Sequence, residues 1–168
     1  MSKQHVRRQW PILGFLAVVN LIASPDANAV GMSFSGTLIA APKCTMTENP
    51  IDIKFGLVDV VKVHLGTYEQ PVEYSPKCED SAHASSFYVA LLLKGGESSF
   101  NAAYLATDND DLAIKVWDGS TLLQVNRALF INDQKRFPVL KAVLMKRTNA
   151  SLGAGKFSAT ATLVIEVM

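Results

Sequence analysis

The sequence predicts an all-β fold, most simply an immunoglobulin-like sandwich, and two observations carry that reading. After residue 29 the apolar residues recur mainly at every second position or in short runs, broken by clusters of Gly, Pro, Asn and Asp, the pattern of strands separated by turns. No sustained helical period appears in that stretch.

The front of the chain is different. Lys3, Arg7 and Arg8 make a basic start, an apolar run spans Pro11 to about Ala23, and Ala27, Asn28 and Ala29 supply a small-x-small cleavage pattern. Residues 1–29 therefore read as a secretory signal peptide. A membrane anchor is the alternative, but the run is too short for a hydrocarbon core of about 30 Å. Cleavage after Ala29 leaves 139 of the 168 residues, beginning at Val30, enough for one domain with a core. That part carries 13 Lys and Arg against 14 Asp and Glu, a formal charge of −1, which argues against a nucleic-acid partner. It holds no further long apolar stretch, so no membrane insertion is expected after cleavage.

Both cysteines, Cys44 and Cys78, lie in the exported part, and an exported chain with two cysteines most simply joins them. Closing such a loop is worth about 4 kcal/mol by chain entropy. A metal or redox pair is the competing reading, weakened by the absence of CxxC spacing and by His64 and His83 being the only histidines left.

Strands are predicted at 33–40, 51–55, 58–65, 87–94, 112–117, 138–146 and 156–167. In the first region Val30, Met32, Phe34, Gly36, Leu38 and Ala40 alternate with Ser33, Ser35 and Thr37. One face is apolar, and either it is the first strand of its own domain or it pairs elsewhere. In 58–65, His64 follows Val61 and Val63 as a surface side chain of a strand, whereas His83 falls in the polar loop EDSAHASS. Val89, Leu91 and Leu93 alternate with Ala90, Leu92 and Lys94, apolar on both faces as a central strand covered on two sides would be. Gly95-Gly96, the run Asp108 to Asp111 and Asp118-Gly119 are turn chemistry. The acidic run lacks the spacing of a calcium loop, and Trp117, ending an apolar strand, is expected in the core rather than as a sugar platform. Asn149-Ala150-Ser151 reads as loop.

The last strand is the most regular. Phe157, Ala159, Ala161, Leu163, Ile165 and Val167 alternate with Ser158, Thr160, Thr162, Val164 and Glu166, so its register is strongly specified. Edge strands are normally blunted with charge, proline or a bulge. After Lys156 the sole charged side chain is Glu166, so this edge reads as one meant to be paired.

Several stretches resemble pilins of the bacterial chaperone-usher pathway, most closely the small minor subunits of P-type fimbriae. The short extension with Met32, Phe34, Gly36 and Leu38 ahead of Cys44 is similar, as are IDIKFG at 51–56, PVEYSPKC at 71–78 and LAIKVWDGSTLL at 112–123. So is the tail, in which Gly155 stands fourteenth from the end and opens an alternating strand. The sequence departs from the family at the next-to-last position, where Val167 replaces the usual aromatic residue.

The resemblance implies an incomplete immunoglobulin-like sandwich that lacks its last strand and is completed by donor-strand complementation and exchange. It implies a donor extension at 30–41 carrying Met32, Phe34, Gly36 and Leu38, and a pilin domain at 42–168. Gly155, Phe157, Ala159, Ala161, Leu163, Ile165 and Val167 would form the chaperone-binding and acceptor-groove strand. Its partners would be a periplasmic fimbrial chaperone, the outer-membrane usher and neighbouring subunits at the cell-surface fimbrium, with no cofactor or metal. A minor adaptor or tip-shaft subunit supporting adhesion is the implied role, and a major shaft pilin the near variant. A self-contained sandwich binding sugar or another ligand is the rival from a different class. An enzyme is disfavoured, since no GxSxG, HExxH, phosphate-loop or paired-carboxylate motif occurs. A two-domain adhesin needs more than 139 residues.

Overall fold

A computed structural model describes residues 30–63, 66–79 and 83–168. The predicted signal peptide and His64 lie outside them. The chain divides into two compact units, residues 1–37 and 38–168. In the first, residues 30–37 form no strand, and Val30, Met32 and Phe34 are exposed. The alternation predicted at 33–40 is present in the sequence, but no ladder partner meets it among the described residues, and without a ladder there is no strand.

The second unit contains ten strands among the described residues. They are β1 (Cys44–Thr45), β2 (Glu69–Pro71), β3 (Lys77–Cys78), β4 (Val89–Gly95) and β5 (Glu97–Ser98). There follow β6 (Asn101–Ala106), β7 (Leu112–Trp117), β8 (Ala128–Ile131), β9 (Lys141–Lys146) and β10 (Ala161–Val167). A short 3-10 turn at Ala84–Ser86 follows His83, and no α-helix occurs among the described residues. One sheet has the order β10-β4-β8, the other β2-β9-β7-β6-β5, and β1 pairs with β3. The ladders between these strands are all antiparallel.

Between the sheets lies the core. Leu91 and Leu93 on β4 meet Leu112, Ile114 and Val116 on β7, and Ala142 and Leu144 on β9. Leu123, Val125 and Leu140 fill the space from connecting segments, each almost wholly buried. Alternation explains β7: its even residues enter the core, while Lys115 and Trp117 face outward. Trp117 is therefore not a core residue, contrary to the expectation, and the Lys115 ammonium lies 3.5 Å from its ring centroid.

β4 is central, as predicted, but the second sheet covers only one of its faces. On the other face Ala90 is buried because its register neighbours Glu166 and Phe130 flank it, and exposed Tyr88 meets Phe130 edge to face at 6.4 Å. Two glycine readings diverge. Gly119 has φ 97° in the Asp118 turn, where the Asp118 carboxylate accepts the backbone N–H groups of Ser120 and Thr121. Gly95 instead ends a strand, and a Cβ there would meet Leu105 Cδ1 at 2.6 Å, so it answers to close packing.

The strand predicted at 58–65 is a turn over its described part, 58–63. Its β-branched residues favour a strand, but Asp59 accepts the N–H of Val61 on its side chain and that of Lys62 on its carbonyl, closing the chain on itself. Residues 51–55 keep their alternation, Ile53 and Phe55 half-buried and Asp52 and Lys54 exposed, yet join no ladder.

Candidate functional site

Among the described residues β10 is paired on one side alone, with β4. Tyr88 and Met168 exchange both backbone hydrogen bonds at 2.8 Å, and bonding alternates along an antiparallel ladder. Thr162, Val164 and Glu166 consequently turn their backbone groups to β4, while those of Ala161, Leu163, Ile165 and Val167 point to the open edge. The same odd residues turn apolar side chains inward: Ala161, Leu163 and Ile165 pack against the core. One edge therefore offers both hydrogen bonds and an apolar face.

Beside it opens a cleft of about 590 Å³. Core residues Leu93, Leu105, Ile114, Val116 and Ala142 line it, so the interior of the sandwich is reachable from outside. Phe157, Ala159, Ala161 and Leu163 border it from the β10 side, and Met46, Ile53 and Phe55 from the chain after β1. The rings of Phe55 and Phe157 lie 6.0 Å apart. Residues 48–58 make no backbone hydrogen bond to any described residue. They are held at their ends, where Thr47 donates its N–H to the Tyr74 carbonyl at 3.1 Å and Asp59 donates its own to the Tyr68 hydroxyl at 2.6 Å.

The Cys44–Cys78 disulfide anchors this border, joining directly opposed residues of β1 and β3 with Cα atoms 4.0 Å apart. Tyr74, also lining the cleft, donates its hydroxyl to the Pro138 carbonyl at 2.6 Å. Burial, and secondarily the charge of Asp118, push its pKa up to about 12, so it remains a neutral donor. Asp108 is held below the usual carboxylate range by hydrogen bonds from Ser158, the backbone N–H first and then the hydroxyl.

Of the residues expected to form the accepting strand, Phe157, Ala159, Ala161 and Leu163 border the cleft, and Ile165 packs on the core beyond it. Val167 is half-buried at the end of β10, and Gly155 lies in an exposed bend before it. The strand itself starts at Ala161 rather than at 156. Of the expected donor residues, Met32, Phe34 and Leu38 are 76%, 87% and 101% exposed, and a Cβ on Gly36 would meet nothing within 4 Å. The opposite border of the cleft was not foreseen as part of the site, although the alternation of Ile51, Ile53 and Phe55 was its signal.

The architecture is that of the pilin class. The solved structure of the P pilus rod subunit PapA aligns with a TM-score of 0.53 and 18% identity, over 74% of this chain and 99% of that one. A subunit structure described as revealing the basis of rod uncoiling in a chaperone-usher pilus aligns with a TM-score of 0.57 and 20% identity, over 86% and 98%. Both share the all-β immunoglobulin-like fold. The family model for fimbrial protein matches residues 32–168, and the chain belongs to that family. Among curated relatives, the fimbrial-like protein YfcQ of Escherichia coli is 29% identical over 80% of this chain and 85% of its own. YfcR of the same organism is 27% identical over 89% and 88%. The chain is thus a fimbrial protein with the immunoglobulin-like fold of these solved pilus subunits, exported to the cell-surface fimbrium.

Proposed function

We propose that this subunit polymerises by donor-strand exchange, as a minor adaptor or tip-shaft component of a fimbria that supports adhesion. Its cleft accepts a strand first from a periplasmic chaperone and then, at the outer-membrane usher, from the N-terminal extension of a neighbouring subunit. Residues 30–41 are its own donor extension, with Met32, Phe34 and Leu38 as the inserting side chains and Gly36 where a neighbour's backbone passes close. Strand addition draws affinity from main-chain bonds and selectivity from pockets for alternate side chains.

One observation carries the proposal: the outward backbone groups of β10 run beside a cleft whose lining is the core itself. An unpaired apolar edge in this position is an aggregation hazard unless another chain covers it. The test is purification of the chain with the signal peptide removed, alone and together with a fimbrial chaperone. Aggregation alone and a soluble one-to-one complex with the chaperone are expected. A stable monomer that ignores the chaperone would defeat the proposal.

A further inference from the structure

β4 ends at Gly95, opposite Ala161, so the ladder that supports β10 stops there. The cleft does not stop there: it continues along Ala159 and Phe157. Something other than β4 holds that stretch. Asp108, in the connection between β6 and β7, donates its backbone N–H to the Ser158 carbonyl at 3.0 Å. Its carboxylate accepts the Ser158 N–H on Oδ1 and the Ser158 hydroxyl on Oδ2, both at 2.9 Å. One residue thus exchanges both backbone directions with Ser158, as a paired strand residue would, with its carboxylate in place of a backbone carbonyl.

Ser158 shares the parity of Thr162, Val164 and Glu166, the residues of β10 that bond toward β4. Its two backbone groups are engaged with Asp108 in the same sense. Alternation then leaves the backbone groups of Phe157 and Ala159 on the open side, in line with those of Ala161, Leu163, Ile165 and Val167. Asn109, Thr107 and Leu112 fix the support itself: Thr107 Oγ1 accepts the Asn109 N–H at 3.1 Å, and Leu112 donates its N–H to the Asn109 carbonyl at 2.9 Å.

We propose that Asp108 is a positioning residue that extends the strand-accepting edge past the end of β4, from Ala161 back to Phe157, and so sets the length of strand the groove takes up. This rests on the strand-addition reading of the cleft. The consequence is specific: four outward register positions exist on β10 alone, and Asp108 adds two.

The experiment is hydrogen–deuterium exchange, resolved by residue, on the chain freshly released from its chaperone complex at a dilution that keeps it soluble, with and without residues 30–41 supplied as a synthetic peptide. In the wild type the peptide should slow exchange at the amides of 157, 159, 161, 163, 165 and 167. Asp108→Ala removes both carboxylate bonds and should abolish the slowing at 157 and 159 while leaving it at 163, 165 and 167. Asp108→Asn keeps an acceptor for the Ser158 N–H and should restore it at both positions, a rescue that a general loss of folding would not show. Ser158→Ala, which keeps the backbone bonds, should retain protection at both. Protection at 157 and 159 that survives in Asp108→Ala, or that is missing in the wild type while 163–167 are protected, overturns the role of Asp108. No protection anywhere on 157–167 in the wild type counts against strand addition itself.

Discussion

Asn126 does for the end of β4 what Asp108 does for the approach to β10: it stands in for a strand. Its backbone is left-handed, φ 57°, a conformation asparagine tolerates better than most residues. Its side-chain oxygen accepts the Gly95 N–H at 3.2 Å, and its amide donates to the Gly95 carbonyl at 3.1 Å and to Glu97 Oε1 at 3.3 Å. These bonds hold the chain where it leaves one sheet for the other. Asn126→Ala should lower stability by about 2 kcal/mol, combining the lost hydrogen bonds and the strained backbone. Asn126→Gly should cost less, because it relieves the backbone and loses only the amide; denaturant unfolding of the two variants separates the contributions. Neither the Asn126 nor the Asp108 arrangement was visible in the sequence, because each depends on a partner more than 30 residues away.

At the scale of elements, β7 was legible as a short apolar run bounded by turn residues and β10 by the alternation of its sequence, and β7 has the predicted bounds, 112–117. β6 and β8 were missed. Asn101–Ala106 carries two alanines and an asparagine ahead of Tyr104, too weakly apolar to signal a strand, and Ala128–Ile131 is four residues long. Residues 51–55 and 156–160 failed in the opposite way: their pattern is that of strands, and what they lack is a ladder. Both border the cleft, so the misses fall where the proposal seats a further strand. On the strand-exchange proposal the two ends of the chain carry separable roles. Leu163→Asp places a charge on the core-facing side of β10 and should block chaperone capture. Phe34→Asp alters an exposed side chain and should leave capture intact while preventing incorporation on the side where the extension is donated. Co-purification with the chaperone and fibre assembly distinguish the steps; failure of both variants at one step would contradict the division.

For the whole molecule the disulfide has an outsized part, because it closes the loop that contains the second border of the cleft. The two cysteines are 34 residues apart in sequence, and reduction should lower stability by about 4 kcal/mol through the loop-entropy term. Beyond that loss, reduction should weaken strand capture, since Met46, Ile53 and Phe55 depend on that closure for their place beside Phe157. Chaperone affinity of the oxidised and reduced chain, measured well below the unfolding transition, reads the second effect apart from the first. A broader consequence follows from the fact that Leu93, Ile114 and Val116 line the cleft and the core alike. A guest segment seated there would become part of the hydrophobic interior, and pulling it out would resemble partial denaturation more than the parting of two surfaces. The durability of a junction built this way would be set by an activation barrier rather than by an affinity.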